Sequence, residues 1–325
     1  MSIVIWGAGA VGLGLATALA RPGERLRVIG RDARRLAALR SDGLERRGLL
    51  GDRLVPADQL DLLDGPAPLV SDPPDWLLVC TKAYATGGIA ETLEPLSSVV
   101  RGRTRLLLCQ NGWGNETPFL EFWPRDRLFH ARVITGFQRR GPGRVEITAH
   151  AAPIALGSLF GRSPAVLEPL AERLRAGGLP AETTHDMRGV LWAKMLYNCA
   201  LNPLGAIAGR RYGELVEDPT TRALVDRVIR EIYRVLDAAG IAVAWPDADA
   251  YLETFHRELI PPTAAHESSM LQDLRAGRPT EIEALCGAVE KLGAGLAVST
   301  PVVSALATLV RSAEGGARLG VPGGG

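Results

Sequence analysis

The sequence predicts an α/β N-terminal domain with a doubly wound sheet, followed by an all-α C-terminal domain. In the first half, short continuous apolar runs alternate with helical patterns, as expected for parallel strands covered by helices on both faces. After about Asp186 the strand signals almost disappear and long helical patterns replace them. Because 325 residues suit about two domains, we assign residues 1–185 to the first and 186–325 to the second.

The first domain begins with a strand, a glycine turn and a buried helix, over residues 2–6, 7–12 and 13–19. Further parallel strands are predicted at 26–29, 76–80 and 105–109, with a helix at 33–40. Between residues 129 and 157 the apolar runs are shorter and glycine interrupts them. We predict hairpin-like strands there, at 132–135, 145–148 and 154–156, which extend the sheet.

The second domain is predicted to be a set of long helices joined to the first domain near residues 180–185. The helical patterns cover residues 190–208, 220–239, 247–259, 281–292 and 302–311. Pro203 predicts a local kink or an end within the first of these helices. The glycine-rich residues 315–325 are expected to be a frayed tail.

Composition excludes several classes of protein. Thirty-seven basic residues balance 36 acidic ones, and a net charge of +1 provides no broad surface for nucleic acid or an anionic membrane. The apolar stretch 8–20 has no basic residue before it, so we expect a buried helix rather than a signal peptide. We therefore expect a cytoplasmic protein that acts on a small molecule, with a homodimer left open.

Cysteine and histidine spacing offers no support for a metal site or a hydrolase. The four cysteines are far apart, at positions 80, 109, 199 and 286, which suits reduced thiols better than a disulfide framework. None of the five histidines has metal-ligand spacing, and neither G-x-S-x-G nor H-E-x-x-H occurs.

A dinucleotide-binding motif lies at the start of the chain, in the sequence Gly7-Ala8-Gly9-Ala10-Val11-Gly12. The three glycines of such a Rossmann-like motif serve a tight turn, a close approach of backbone to pyrophosphate, and close helix–strand packing. The motif's position between a strand and a helix favours this interpretation. A glycine-rich packing turn is the alternative.

The end of the second strand indicates which dinucleotide binds. Arg31 follows Gly12 by 19 residues, where an acidic residue would hold the ribose of NAD. An arginine at this point suits the 2′-phosphate of NADP. The adjacent Asp32 keeps an NAD preference open, and a solvated Arg31 is the structural alternative.

Two further predicted strands end in polar residues. Lys82 follows the third parallel strand and is placed to reach a cofactor phosphate, while Gln110-Asn111-Gly112 follows the fourth and suits a loop near a nicotinamide. Each could be an ordinary turn. Together they favour one shared site at the edge where doubly wound sheets bind ligands.

The predicted helix 190–208 carries an unusual polar stripe. Lys194, Asn198 and Asn202 are spaced i, i+4 and i+8, so they project from one face of an otherwise apolar helix. A buried unpaired lysine or asparagine costs several kcal/mol, so this stripe should face a ligand, water or partner groups. A structural polar network between helices is the alternative.

Hydroxyl and acidic residues precede two of the last helices. Ser268-Ser269 comes before Met270, and Thr280 comes before Glu281 and Glu283. Helix capping would explain these residues without any chemistry, because hydroxyls cap helix N-termini and acidic residues are favourable in a first turn.

These motifs together make the chain similar to the ketopantoate reductase (2-dehydropantoate 2-reductase) family over almost its whole length. The resemblance implies an N-terminal Rossmann domain, a helical C-terminal domain and an active site in the cleft. It also implies NADPH-dependent reduction of ketopantoate to pantoate in pantothenate biosynthesis. By the same resemblance Lys194 is the general acid, Asn198, Asn202 and Ser269 bind substrate, and Arg31, Lys82, Asn111 and Glu281 lie near the cofactor.

The chemistry of that reaction explains the residue types. A hydride that reaches a ketone carbon places negative charge on its oxygen, which a lysine ammonium can stabilise and protonate. Amide and hydroxyl groups can hold the other substrate oxygens, and Glu281 could orient Lys194 or hold ribose.

Two positions depart from the family pattern. Tyr212 stands where some members have an asparagine, and Cys286 stands before Gly287 where asparagine often occurs. These departures leave open a paralogous reductase of another 2-oxo acid. A non-catalytic NADPH-binding sensor is the alternative from a different class.

Overall fold

The computed structural model describes residues 1–100 and 102–318, which form two compact units. Unit 1 comprises Met1–Gln110 and Asn115–Met187, and unit 2 comprises Asn111–Gly114 and the chain from Arg188 onward. Unlike the two continuous domains expected from the sequence, unit 2 thus includes a four-residue segment from the first half of the chain. Within the described ranges, no helix is long and apolar enough to cross a membrane.

Unit 1 has an α/β architecture with a mainly parallel sheet. Its strands are β1 (Ile3–Trp6), β2 (Leu26–Ile29), β3 (Leu44–Gly48), β4 (Arg53–Val55), β5 (Leu60–Leu63), β6 (Trp76–Val79), β7 (Arg105–Leu108), β8 (Leu128–Arg132), β9 (Thr135–Gly141), β10 (Arg144–His150), β11 (Ile154–Gly157) and β12 (Ala181–Thr184). Its helices are α1 (Ala10–Leu19), α2 (Ala33–Asp42), α3 (Thr86–Leu93), α4 (Ser97–Val100) and α5 (Glu168–Ala176).

The main sheet has eight strands in the order β12-β11-β8-β7-β6-β1-β2-β5. From β8 to β5 neighbouring strands are parallel, in the order typical of dinucleotide-binding sheets. The register places Trp6 beside Ile29 and Val79, and Val79 beside Leu108. The carboxyl ends of four strands therefore meet at one edge, as the sequence predicted.

A second, four-stranded sheet in the order β4-β3-β10-β9 corrects the predicted extension of the main sheet. Only β8 and β11 join the main sheet from the region 129–157, whereas β9 and β10 pair with each other outside it. The physical reason is one-sided burial. Val145 and Ile147 are buried between more exposed neighbours, which suits a sheet with one solvated face rather than a strand covered on both sides.

Helix α1 is buried almost all round, which confirms the predicted buried helix. Phe137 of β9 packs so closely on Gly14 that a Cβ there would lie 2.4 Å from its ring. On another side, a Cβ on Gly177 would lie 2.0 Å from the carbonyl oxygen of Ala18. Small residues in and around α1 thus allow this helix to pack closely against its neighbours in unit 1.

Unit 2 is helical. Its helices are α6 (Met187–Ala208), which begins at the last residue of unit 1, α7 (Tyr212–Glu217), α8 (Pro219–Ala239), α9 (Ala248–Thr254), α10 (Ser269–Arg275), α11 (Ala288–Gly295) and α12 (Pro301–Arg318). The predicted helices 247–259 and 281–292 each contain a π-helical turn, at Phe255–Leu259 and Glu283–Gly287. Of the predicted frayed tail, residues 315–318 are helical and the rest lies outside the described residues.

Helix α6 does not end at Pro203, as the sequence had allowed, but continues to Ala208. Proline lacks the N–H that would bond to the carbonyl four residues earlier, which here belongs to Cys199. The Cys286 thiol approaches that oxygen, with Sγ 4.0 Å from Cys199 O. Cys286, one of the two departures from the family pattern, thus provides a weak donor for the carbonyl that Pro203 leaves free.

Candidate active site

The glycine-rich turn between β1 and α1 gives each glycine a different role. Gly7 has a φ of +125°, and a Cβ on it would lie 2.8 Å from the carbonyl carbon of Cys80. A Cβ on Gly12 would lie 1.9 Å from Gly7 O. A Cβ on Gly9 would meet nothing closer than Cys80 O at 4.0 Å. Packing therefore requires the outer two glycines, while the backbone at Gly9 faces open space in which a phosphate can approach.

The end of β2 separates Asp32 from Arg31. Asp32 caps α2: its Oδ1 accepts from Arg35 N at 3.0 Å, and its Oδ2 pairs with the Arg35 guanidinium at 2.8 Å. The backbone hydrogen bond lowers the pKa of Asp32, with a smaller contribution from the charge of Arg35. Arg31 is exposed and makes no hydrogen bond or ion pair within residues 1–100 and 102–318. Asp32 thus has a structural role as a helix cap. The Arg31 guanidinium is left available to bind a ligand.

Gln110 ties the end of β7 to the loop after β6. Its buried amide donates to Thr86 Oγ1 at 2.7 Å, to Thr81 Oγ1 at 3.3 Å and to Lys82 O at 3.4 Å. The loop that carries Lys82 is therefore held by the strand beside it. From the sequence, Gln110 was expected only to be part of a polar loop. Its position directly before Asn111, at the end of a strand, is the one sequence feature that could have indicated this anchoring role.

A chain of hydrogen bonds in unit 2 connects three of the predicted site residues. Lys194 Nζ donates to Asn111 Oδ1 at 2.5 Å, and Asn111 Nδ2 donates to Glu281 Oε2 at 3.1 Å. Glu281 is only 7% exposed. Because the amide must turn its oxygen to the ammonium and its N–H to the carboxylate, both ends fix its orientation. Asn111 thus links Lys194 to Glu281.

Gly112 and Trp113 hold Asn111 in place. Gly112 has a φ of +96°, and a Cβ on it would lie 2.4 Å from Ala284 O, in the π-helical turn that follows Glu281. Trp113 N donates to the same oxygen at 2.9 Å, and the Trp113 ring packs on Trp192 with centroids 5.2 Å apart. The glycine is therefore needed for the close approach of this loop to the π-helical turn at Ala284.

We expect Gly112→Ala to lower kcat by about tenfold or more, because a small displacement of a catalytic group has a large effect on rate. Steady-state rates and thermal unfolding would measure this. Gly240→Ala is the matched control, since Gly240 has a φ of +62° but open space around its Cβ position. Both variants carry a backbone strain of about 1–2 kcal/mol. Equal activity of the two variants would show that the close approach at Ala284 is unimportant.

The predicted polar stripe exists on α6. Lys194 and Asn198 are half-buried, and Asn202 is buried with 7% exposure. The Asn198 side chain has no hydrogen-bond partner among the described residues. Asn202 Oδ1 accepts from the hydroxyl of Tyr212 at 2.5 Å. The stripe therefore presents an ammonium and two amides along one face, and Tyr212 binds the last of them.

The hydroxyl and acidic residues near the C-terminus divide into capping and non-capping groups. Ser268 Oγ accepts from Leu271 N at 3.1 Å, so Ser268 caps α10, while Ser269 is exposed. Thr280 Oγ1 accepts from Ile282 N at 3.2 Å. Hydrogen bonds from Arg311 lower the pKa of Glu283, which is thereby part of a surface ion pair. Capping and surface pairing therefore explain every residue here except Ser269 and Glu281.

Profiles of one protein family match both halves of the chain. The family described as "Ketopantoate reductase PanE/ApbA" matches residues 3–160, and "Ketopantoate reductase PanE/ApbA C terminal" matches residues 186–314. A 2-dehydropantoate 2-reductase of Aquifex aeolicus (strain VF5) is 34% identical over 315 residues, which are 97% of each chain.

Solved structures agree with this relationship. A 2-dehydropantoate 2-reductase from Geobacter metallireducens GS-15 is 29% identical with a TM-score of 0.84, over 96% of this chain and 100% of that one. A D-mandelate dehydrogenase in a ternary structure with NADH and anilino(oxo)acetate is 25% identical with a TM-score of 0.82, over 98% and 100%. The chain therefore belongs to the PanE/ApbA family of ketopantoate reductases, which are oxidoreductases.

Proposed function

We propose that this protein reduces 2-dehydropantoate to pantoate with NADPH, as a cytoplasmic step of pantothenate biosynthesis. The observation that carries the proposal is the hydrogen-bonded chain Lys194–Asn111–Glu281. A binding protein without catalysis has no need for an ammonium held in a fixed direction by an amide and a buried carboxylate. This arrangement favours an enzyme over an NADPH-binding sensor.

The residues of unit 1 fit NADPH. The glycine-rich turn would hold the pyrophosphate, since the backbone at Gly9 faces open space. Arg31 would pair with the 2′-phosphate, because it is exposed and makes no bond within the described ranges. Asp32 is engaged as a helix cap, which disfavours an NAD-type contact to ribose. Lys82 adds a positive charge at the end of the neighbouring strand.

NADPH, when bound, supplies the hydride that reduces the 2-oxo carbon. Lys194 donates a hydrogen bond to the carbonyl oxygen, stabilises its developing negative charge and then transfers a proton to it. Asn111 keeps the ammonium directed by accepting one of its hydrogens, and Glu281 holds the amide in the required orientation. Asn198, Asn202 and Ser269 bind the remaining oxygens of the substrate.

A specific observation supports a second candidate, a reductase of a different 2-oxo acid. Tyr212 is buried beside Asn202, and its ring packs edge-on against Tyr197 at 5.8 Å. The Tyr212 ring at this end of the stripe suits an apolar or aromatic substrate side chain as well as a hydroxyl. The similarity to a D-mandelate dehydrogenase makes an aromatic 2-oxo acid the first compound to compare.

The test is NADPH oxidation by the purified protein, followed by absorbance, with ketopantoate and a panel of branched and aromatic 2-oxo acids. We expect ketopantoate to have the highest kcat/KM. Preferential use of another 2-oxo acid would support the second candidate, and no turnover of any compound would reject both.

We expect ketopantoate to exceed its analogue without the terminal hydroxyl, 3,3-dimethyl-2-oxobutanoate, by at least about tenfold in kcat/KM. A site that hydrogen-bonds a substrate hydroxyl leaves its own polar groups unpaired when that hydroxyl is missing. The two compounds have the same 2-oxo acid group, so each serves as the control for the other. A higher kcat/KM for the hydroxyl-free compound would contradict the ketopantoate assignment.

A further inference from the structure

The contact between Tyr212 and Asn202 is the feature of the stripe that the reaction itself does not explain. The Tyr212 hydroxyl donates to Asn202 Oδ1 at 2.5 Å, and the two residues are 4% and 7% exposed. Burial raises the pKa of Tyr212, so its hydroxyl keeps the proton at neutral pH. Tyr212 therefore has a protonated hydroxyl, which donates to the oxygen of this amide.

Tyr212 is held in place by backbone hydrogen bonds and by ring packing. Its backbone N donates to His266 O at 3.1 Å, and Gly213 N donates to Ala264 O at 2.9 Å. Its ring packs on His266 with centroids 5.0 Å apart and edge-on against Tyr197 at 5.8 Å. Because backbone and ring are both fixed, the phenol hydroxyl has a defined position from which it can orient the Asn202 amide.

An asparagine amide has two orientations that exchange its oxygen and its NH2 group. In the structure the amide has Oδ1 toward the phenol, and the Tyr212 hydroxyl donates to it. The NH2 group then points away from Tyr212, and it has no partner among the described residues. Asn202 lies two steps of about 6 Å beyond Lys194 along α6, and this NH2 group is thus a donor at the far end of the stripe.

We propose that Tyr212 is a positioning residue that orients the Asn202 amide so that it offers only N–H donors to the substrate group farthest from the reacting carbon. This selects 2-oxo acids that carry an oxygen acceptor at that distance, such as the hydroxyl oxygen of ketopantoate. The inference rests on the proposed function of the same site. It assigns to Tyr212 a role in specificity without any contact to the reacting atoms.

The experiment compares Tyr212→Phe with Tyr197→Phe. Each variant loses one tyrosine hydroxyl that makes a 2.5 Å hydrogen bond, to Asn202 in the first case and to Thr263 Oγ1 in the second. Both rings remain, so we expect a similar decrease in Tm of about 1–4 °C. Only Tyr212→Phe should raise KM for ketopantoate, by about 3- to 10-fold, with kcat changed less than about twofold.

The preference for ketopantoate over 3,3-dimethyl-2-oxobutanoate should also decrease in Tyr212→Phe and remain in Tyr197→Phe, while Kd for NADPH is the same in both. Asn202→Asp is a second variant: it keeps an acceptor for Tyr212 but has no N–H, and its KM should rise at least as much. An unchanged KM in Tyr212→Phe, or equal changes in both phenylalanine variants, would overturn the proposal. Lack of 2-oxo acid turnover by the unmodified protein would instead reject the proposed function, and this inference with it.

Discussion

Replacing Lys194 by alanine is expected to lower kcat by about 100-fold or more, because a general acid typically contributes that much to the rate. The structure gives the reason for this residue in particular. Its Nζ is held at 2.5 Å from Asn111 Oδ1, and Asn111 is fixed in turn by buried Glu281. Without the ammonium, the negative charge on the substrate oxygen has no proton donor in a fixed position.

Steady-state rates with saturating 2-oxo acid and NADPH would measure this loss, and Kd for NADPH should change little. Lys291→Ala is the matched control, since Lys291 is an exposed lysine of the same unit. Lys194→Arg should stay as slow as the alanine variant, because a guanidinium keeps its charge but does not give up its proton. If the alanine variant retains a near-original rate, Lys194 is structural and another group provides the proton.

The stripe on α6 could be predicted because helical periodicity alone determines which residues share a face. Lys194, Asn198 and Asn202 needed only their spacing and an apolar background. Strand ends were predictable for a similar reason: consecutive parallel strands end at the same edge of a sheet. The partners of these residues were not predictable, because they come from distant parts of the chain. Asn111 and Glu281 are 170 residues apart and meet through a side-chain hydrogen bond.

Asn111 illustrates this limit further. Its neighbour Gln110 bonds within unit 1, yet Asn111 itself belongs to unit 2. The family resemblance places Asn111 near the cofactor, and the structure adds its bonds to Lys194 and Glu281. The available signal was Gly112, whose positive φ permits the close approach of this loop to Ala284, but a sequence does not show which backbone a glycine approaches.

The second sheet was not predicted because two of its strands, β3 and β4, are short and charged. In β3 only Leu44 and Arg46 are buried, and Arg46 uses its guanidinium to donate to Gly177 O at 3.1 Å. A buried arginine in a short strand contradicts the usual apolar pattern. Its burial depends on a carbonyl 131 residues away, which no local pattern contains.

The preference for NADPH depends on two adjacent residues at the end of β2. Asp32 would be the ribose ligand of an NAD enzyme, but its carboxylate caps α2 and pairs with Arg35. The charge of Arg139, on β9, also contributes to the low pKa of Asp32. The charges of Arg35 and Arg139 thus act on the residue next to Arg31, and an additional phosphate would meet favourable charge there.

Arg31→Ala is therefore expected to raise KM for NADPH by about 10- to 150-fold, since a hydrogen bond to a charged group contributes about 1.5–3 kcal/mol. KM for NADH, which has no 2′-phosphate, should change little, and paired titrations with both cofactors would measure the difference. Arg40→Ala is the control, because it removes an exposed arginine from the other end of α2, together with that arginine's hydrogen bond to Leu62 O at 3.1 Å. The contact should also weaken as salt increases, because Arg31 is exposed. Equal use of NADPH and NADH by the unmodified protein would contradict the assignment of Arg31 to the 2′-phosphate.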